Sequence, residues 1–98
     1  MERKKYILYA LRMCVEEQLR DPKLGLKKGI FEQRSYQQWA SKEVLKAIEE
    51  YDGNPEYAIE DFMSRMDNYA CKNPKSGMIF SIAYDTAVWM LDIVIAMK

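Results

Sequence analysis

Carboxylates are the side chains of this chain whose spacing comes closest to a catalytic pattern. Glu49 and Asp52 form a Glu-x-x-Asp pair, and Asp85 and Asp92 stand seven residues apart. Some small all-α hydrolases hold Mg²⁺ with several carboxylates that converge on one ion. The chain has no Glu-x-x-Glu pair to complete such a set. We therefore predict no metal site and no cofactor, and a hydrolase using these four residues is the least favoured of three functional hypotheses.

Nucleophilic catalysis lacks its usual components. The chain has no histidine, so neither a Cys-His pair nor the commonest general base is available. Cys14 falls on an apolar helix face, which is typical of an inert core thiol, and Cys71 falls near a polar face. We predict no catalytic residue and a protein that is not an enzyme. Two isolated cysteines favour a reduced, cytoplasmic protein.

The charge pattern argues against nucleic acid and membrane as partners. Fifteen basic residues balance fifteen acidic ones, so no net charge attracts the chain to phosphate or anionic lipid. The second and third predicted helices resemble a helix-turn-helix in outline, but the third carries Glu56, Glu60, Asp61 and Asp67, which phosphate would repel. The apolar C-terminal stretch is long enough for a membrane span. Each aspartate within it would cost about 2.5–3.5 kcal/mol in mid-bilayer.

Hydrophobic periodicity predicts a single all-α domain over residues 1–98 with a four-helix, bundle-like fold. The predicted helices cover residues 2–20, 35–51, 55–72 and 76–97, and the segment 21–34 is predicted to be irregular. Ser35, Asn54 and Ser76 are the expected N-caps, and Gly53 is expected to end the second helix in the left-handed conformation. The predicted core faces include Trp39, Tyr51 and Tyr69, and Glu56 is predicted to face water.

The last helix has too little polar surface for an ordinary surface helix. Between Met78 and Met97 its only charged residues are Asp85 and Asp92, which share one narrow stripe with Ser81. This pattern predicts a central core helix or an interface. The two aspartates either mark the solvent face or form ion pairs, within the bundle or on a partner. Within the bundle, their candidate partners are Lys27, Lys28 and Arg34.

A second apolar group lies on the first helix. Tyr6, Tyr9 and Met13 fall on the side opposite its core face, so they either pack under the irregular segment or form an exposed patch. Aromatic residues and methionine are favoured at interfaces. The interface candidates are Tyr6, Tyr9, Met13, Trp89, Leu91 and Ile95.

A stretch of the C-terminal half carries a resemblance. MDNYACKNPK at 66–75, FSIAYD at 80–85 and Leu91-Asp92 together resemble the C-terminal half of small uncharacterised helical bacterial proteins. The resemblance implies a bacterial cytosolic origin and transfers no catalytic residue. Some proteins of this group are associated with operons of toxin–antitoxin type.

The sequence thus favours a non-enzymatic interaction module, which forms a homo-oligomer or binds a protein partner. The alternative is a regulator or antitoxin-like protein from a mobile element or a toxin–antitoxin operon. No small-molecule substrate is indicated.

Overall fold

The fold is all-α, as predicted. The computed structural model describes the backbone of residues 2–20 and 31–97 and the side chains of residues 3–18 and 35–97. The described residues form helices α1 (Glu2–Arg20), α2 (Phe31–Glu50), α3 (Pro55–Lys72) and α4 (Gly77–Ala96), with a 3-10 turn (Pro74–Ser76) before α4. The four-helix, bundle-like prediction is confirmed.

The predicted start of the second helix is wrong. The limits of α1 and α3 match the prediction, but α2 begins at Phe31, so Ser35 lies inside the helix and does not cap it. The residues between Phe31 and Ser35 are all strong helix formers, and no glycine or proline interrupts them: Glu32, Gln33 and Arg34. The last four residues of the predicted irregular segment are therefore helical. Its remainder, 21–30, lies outside the described residues.

The predicted caps differ in detail. Asn54 and Ser76 stand at the N-cap positions of α3 and α4, but neither side chain makes a capping hydrogen bond. Gly53 does not adopt the left-handed conformation, so this prediction is also wrong. Instead, the end of α2 is bound from α1. Lys4 Nζ donates to the carbonyl oxygens of Glu49 at 2.7 Å and Tyr51 at 2.8 Å.

Helix α4 lies at the centre of the packing. It contacts each of the other three helices and packs most extensively against α3 and then α2. Its inward residues repeat at spacings of four and three, as in helix-bundle seams. These residues are Ala83, Ala87, Met90 and Val94, and they meet Ile7 and Leu11 of α1, Val44 and Ile48 of α2, and Ile59 and Phe62 of α3 in one core.

Three aromatic residues predicted to lie in the core are substantially exposed. Trp39 lies about 140° around α2 from the buried Val44, so it points away from the core. Tyr51 follows the last residue of α2, where the chain leaves the core. Tyr69 lies near the end of α3, and its ring centroid is 5.5 Å from that of Phe80 at the start of α4.

Glu56 was predicted to face water and is instead buried. Its carboxylate forms an ion pair with Arg3, with Arg3 Nη2 and Glu56 Oε2 3.0 Å apart. The reversal has a physical reason, since Arg3 in the first turn of α1 brings a guanidinium to the first turn of α3.

Candidate interaction surface

The outer side of α4 is the first candidate surface, and we refer to it as the α4 face. Its side chains share the half of the helix that points away from the core. They are the exposed Ser81, Tyr84, Asp85, Asp92 and Ile95 and the half-buried Val88, Trp89 and Leu91.

Helix α4 as a whole is strongly apolar, yet only part of it is buried. The segment Pro74–Ala96 contains an 18-residue window with a mean hydropathy of 1.6, and 28% of the residues in this window are fully buried. By length and composition alone this segment could cross a membrane, a test that core helices of soluble proteins also pass. A core helix would, however, be mostly buried. The helix therefore leaves part of its apolar surface uncovered, and Ile95 is 51% exposed.

The only charges on α4 are negative. Asp85 and Asp92 are both exposed, and no ion pair joins either of them to a basic side chain in the described part of the chain. The predicted partners Lys27, Lys28 and Arg34 lie outside the described side chains. The two carboxylates thus face outward without a described counter-charge.

A shallow recess adjoins the α4 face where α3 and α4 meet. Its volume is about 150 Å³, and Met66, Ala70 and Phe80 supply its apolar lining. Asp67 of α3 lines the same recess as Asp85, together with Ser81 and Tyr84. A third carboxylate therefore adds to the negative potential at this end of the α4 face.

The outer side of α1 is the second candidate surface, the α1 face, formed by Lys5, Tyr6, Tyr9, Arg12 and Met13. Tyr6 and Tyr9 are 64% and 63% exposed and Met13 is 52% exposed, so no described residue covers this predicted patch. Lys5 and Arg12 flank it on one side of the helix. Arg12 Nη2 lies 3.1 Å from Glu49 Oε2 in an ion pair whose side chains are both more than half exposed.

The six interface candidates therefore divide between two surfaces. Tyr6, Tyr9 and Met13 lie on the α1 face, and Trp89, Leu91 and Ile95 lie on the α4 face. Trp89 and Leu91 also pack partly against the core. Sequence reasoning passed over Lys5 and Arg12, although their seven-residue spacing equals that of Asp85 and Asp92.

The acidic residues and cysteines considered above do not form a metal-binding cluster in the described part of the chain. Among the described residues, no group of three or more histidine, cysteine, aspartate or glutamate side chains could hold a metal ion. Glu49, one of the hypothetical metal ligands, is engaged with Arg12. Both cysteines are free, with Cys14 half-buried and Cys71 exposed.

Comparison with known proteins finds no similarity: no family model, no curated protein and no solved structure matches the chain.

Proposed function

We propose that this protein is a non-enzymatic interaction module that associates with itself through the α4 and α1 faces. The observation that carries the proposal is the low burial of its most apolar helix. Exposed apolar groups of this kind are typical of surfaces that another molecule covers. The exposed tyrosines and methionine on α1 add a second group of residues that interfaces favour.

The physical gain from association is the burial of this apolar surface. Each square ångström removed from water contributes about 25 cal/mol, from which the entropy of association is subtracted. The balanced overall charge produces little long-range repulsion between copies. The free state of Cys14 and Cys71 supports the further proposal of a reducing, cytoplasmic location.

The test is the molar mass in solution, measured by sedimentation over about a hundredfold range of concentration. We expect the mass to rise above the 11.6 kDa of one chain as concentration increases. Ile95→Glu should suppress this rise, because it places a charge on the α4 face. Tyr57→Glu is the matched control, since Tyr57 is similarly exposed at 57% but lies on neither face.

A mass of one chain at every concentration would contradict self-association. An equal effect of both glutamate substitutions would show that the α4 face has no special part in it.

A further inference from the structure

The two exposed faces carry opposite charges at the same spacing. Between Gly77 and Ala96, α4 contains no basic residue, and its only charges are Asp85 and Asp92. On α1, the only charges from Lys5 to Met13 are Lys5 and Arg12, and the next charge on this side of the helix is the exposed Glu16, one turn beyond Arg12. Lys5 and Arg12 are seven residues apart, as are Asp85 and Asp92, which corresponds to about 10.5 Å along each helix axis.

We infer that the partner of the α4 face is the α1 face of a second copy of this chain. In this pairing Lys5 and Arg12 of one copy meet Asp85 and Asp92 of the other, and Tyr6, Tyr9 and Met13 cover the apolar residues of α4. The inference deepens the proposed function and rests on it.

Charge complementarity selects this pairing over the symmetric ones. If α4 paired with α4 about its midpoint, antiparallel packing would place Asp85 near Asp92 of the other copy, and parallel packing would place each aspartate near its equivalent. Pairing α1 with α1 would likewise oppose the cations. Like charges held together across an interface are unfavourable, whereas the α1–α4 pairing places each aspartate of α4 opposite a basic residue of α1.

The ion pair within each chain does not prevent this arrangement. Arg12 and Glu49 form a pair in which both side chains are mostly exposed. Exposed pairs contribute little to stability, so the Arg12 guanidinium can exchange one carboxylate for another at low cost. Lys5 is exposed and forms no ion pair with any described residue.

The experiment is a charge exchange between two variants of the full chain. The acidic variant is K5E/R12E and the basic variant is D85K/D92K. Alone, each variant opposes like charges across the interface, so its dissociation constant should rise at least about tenfold. In an equimolar mixture, each α1–α4 contact between the two different variants again joins opposite charges. We expect the affinity of one variant for the other to be within about threefold of the native affinity.

The two double reversals also change the net charge, K5E/R12E by four units downward and D85K/D92K by four units upward. A matched control for overall charge is therefore needed. K42E/K46E and E50K/E60K produce the same two shifts at exposed sites on α2 and α3. Neither control variant should lose self-association more than slightly, and their mixture should gain nothing comparable. Glu49→Gln, which removes the partner of Arg12 within the chain, should leave association unchanged or tighter.

The outcomes separate this pairing from the proposed function. If the native chain associates but neither exchange weakens it, or if the two variants mix no better than the controls, the α1–α4 pairing is overturned and self-association stands. A native chain that stays a single molecule at all concentrations overturns both. Circular dichroism establishes that each variant is folded. The chain with all four reversals must regain self-association if the pairing is correct.

Discussion

Arg3 and Glu56, which are 53 residues apart in the sequence, form a bidentate ion pair. Arg3 Nη2 lies 3.0 Å from Glu56 Oε2 and Nη1 lies 3.4 Å from Oε1, so the guanidinium and the carboxylate meet fork to fork. The Glu56 side chain is 11% exposed. The pair ties the first turn of α1 to the first turn of α3, where the helix dipole also favours a negative charge.

Removal of Arg3 is expected to destabilise the fold. Arg3→Ala should lower the free energy of unfolding by about 1–3 kcal/mol, because a largely buried carboxylate loses a charged donor. Arg12→Ala is the matched control: its ion pair with Glu49 is exposed, and the expected loss is below about 1 kcal/mol. Urea denaturation of both variants at low protein concentration measures the difference. Equal losses would show that the burial of Glu56 has no energetic consequence.

Lys4 has a similar role at the end of α2. Its ammonium donates to two carbonyl oxygens there, those of Glu49 and Tyr51, and the negative end of the helix dipole favours its charge. Lys4→Met keeps most of the aliphatic stem but removes the donor, and should cost about 1 kcal/mol.

Lys5→Met is the control for the same change one residue along, where the side chain is exposed and has no such contact. Thermal melts at low protein concentration compare the two variants. A melting temperature that falls equally in both would mean that the carbonyl contacts contribute nothing.

Two methionines of α4 differ in burial and so allow its core-facing side to be tested. Met90 is fully buried and Met78 is 55% exposed. Met90→Ala leaves a cavity in the core and should cost about 2–5 kcal/mol, whereas Met78→Ala should cost less than about 0.5 kcal/mol. Urea denaturation of the two variants, measured side by side, tests the assignment of the inward seam. Similar losses would mean that α4 is oriented differently in the bundle.

The helices themselves were predictable from sequence because local signals define them. Pro55 is the first residue of α3 and Pro74 follows its end. Ala58, Ile59, Phe62 and Met66 of the predicted apolar face of α3 are buried. The start of α2 was not predictable in this way, because Ser35 resembles a cap while the residues before it form helix equally well. A local signal of this kind predicts a boundary only where the chain cannot continue as helix.

The contacts between distant segments could not be read from the sequence. Glu56 has the spacing of a solvent-facing residue, and only the position of α1 makes it a buried partner of Arg3. Likewise, Gly53 does not adopt the expected left-handed conformation at the end of α2. Carbonyl oxygens there accept hydrogen bonds from Lys4 of α1 instead. The exposed patch on α1 was one of two alternatives, and the choice depended on which residues cover it in the folded chain. Sequence periodicity shows which residues share a face, but it does not show what lies opposite that face.

Tryptophan fluorescence can report directly on the α4 face. The chain has two tryptophans, so Trp39→Phe leaves Trp89 as the single reporter. Trp89 is half-buried on the α4 face, and its emission should shift to shorter wavelength as concentration rises and a second copy excludes water. Trp89→Phe leaves Trp39, which is 39% exposed on α2 and outside both faces, so its emission should stay constant. A shift at Trp39 with none at Trp89 would place the association surface on α2 and exclude the α4 face.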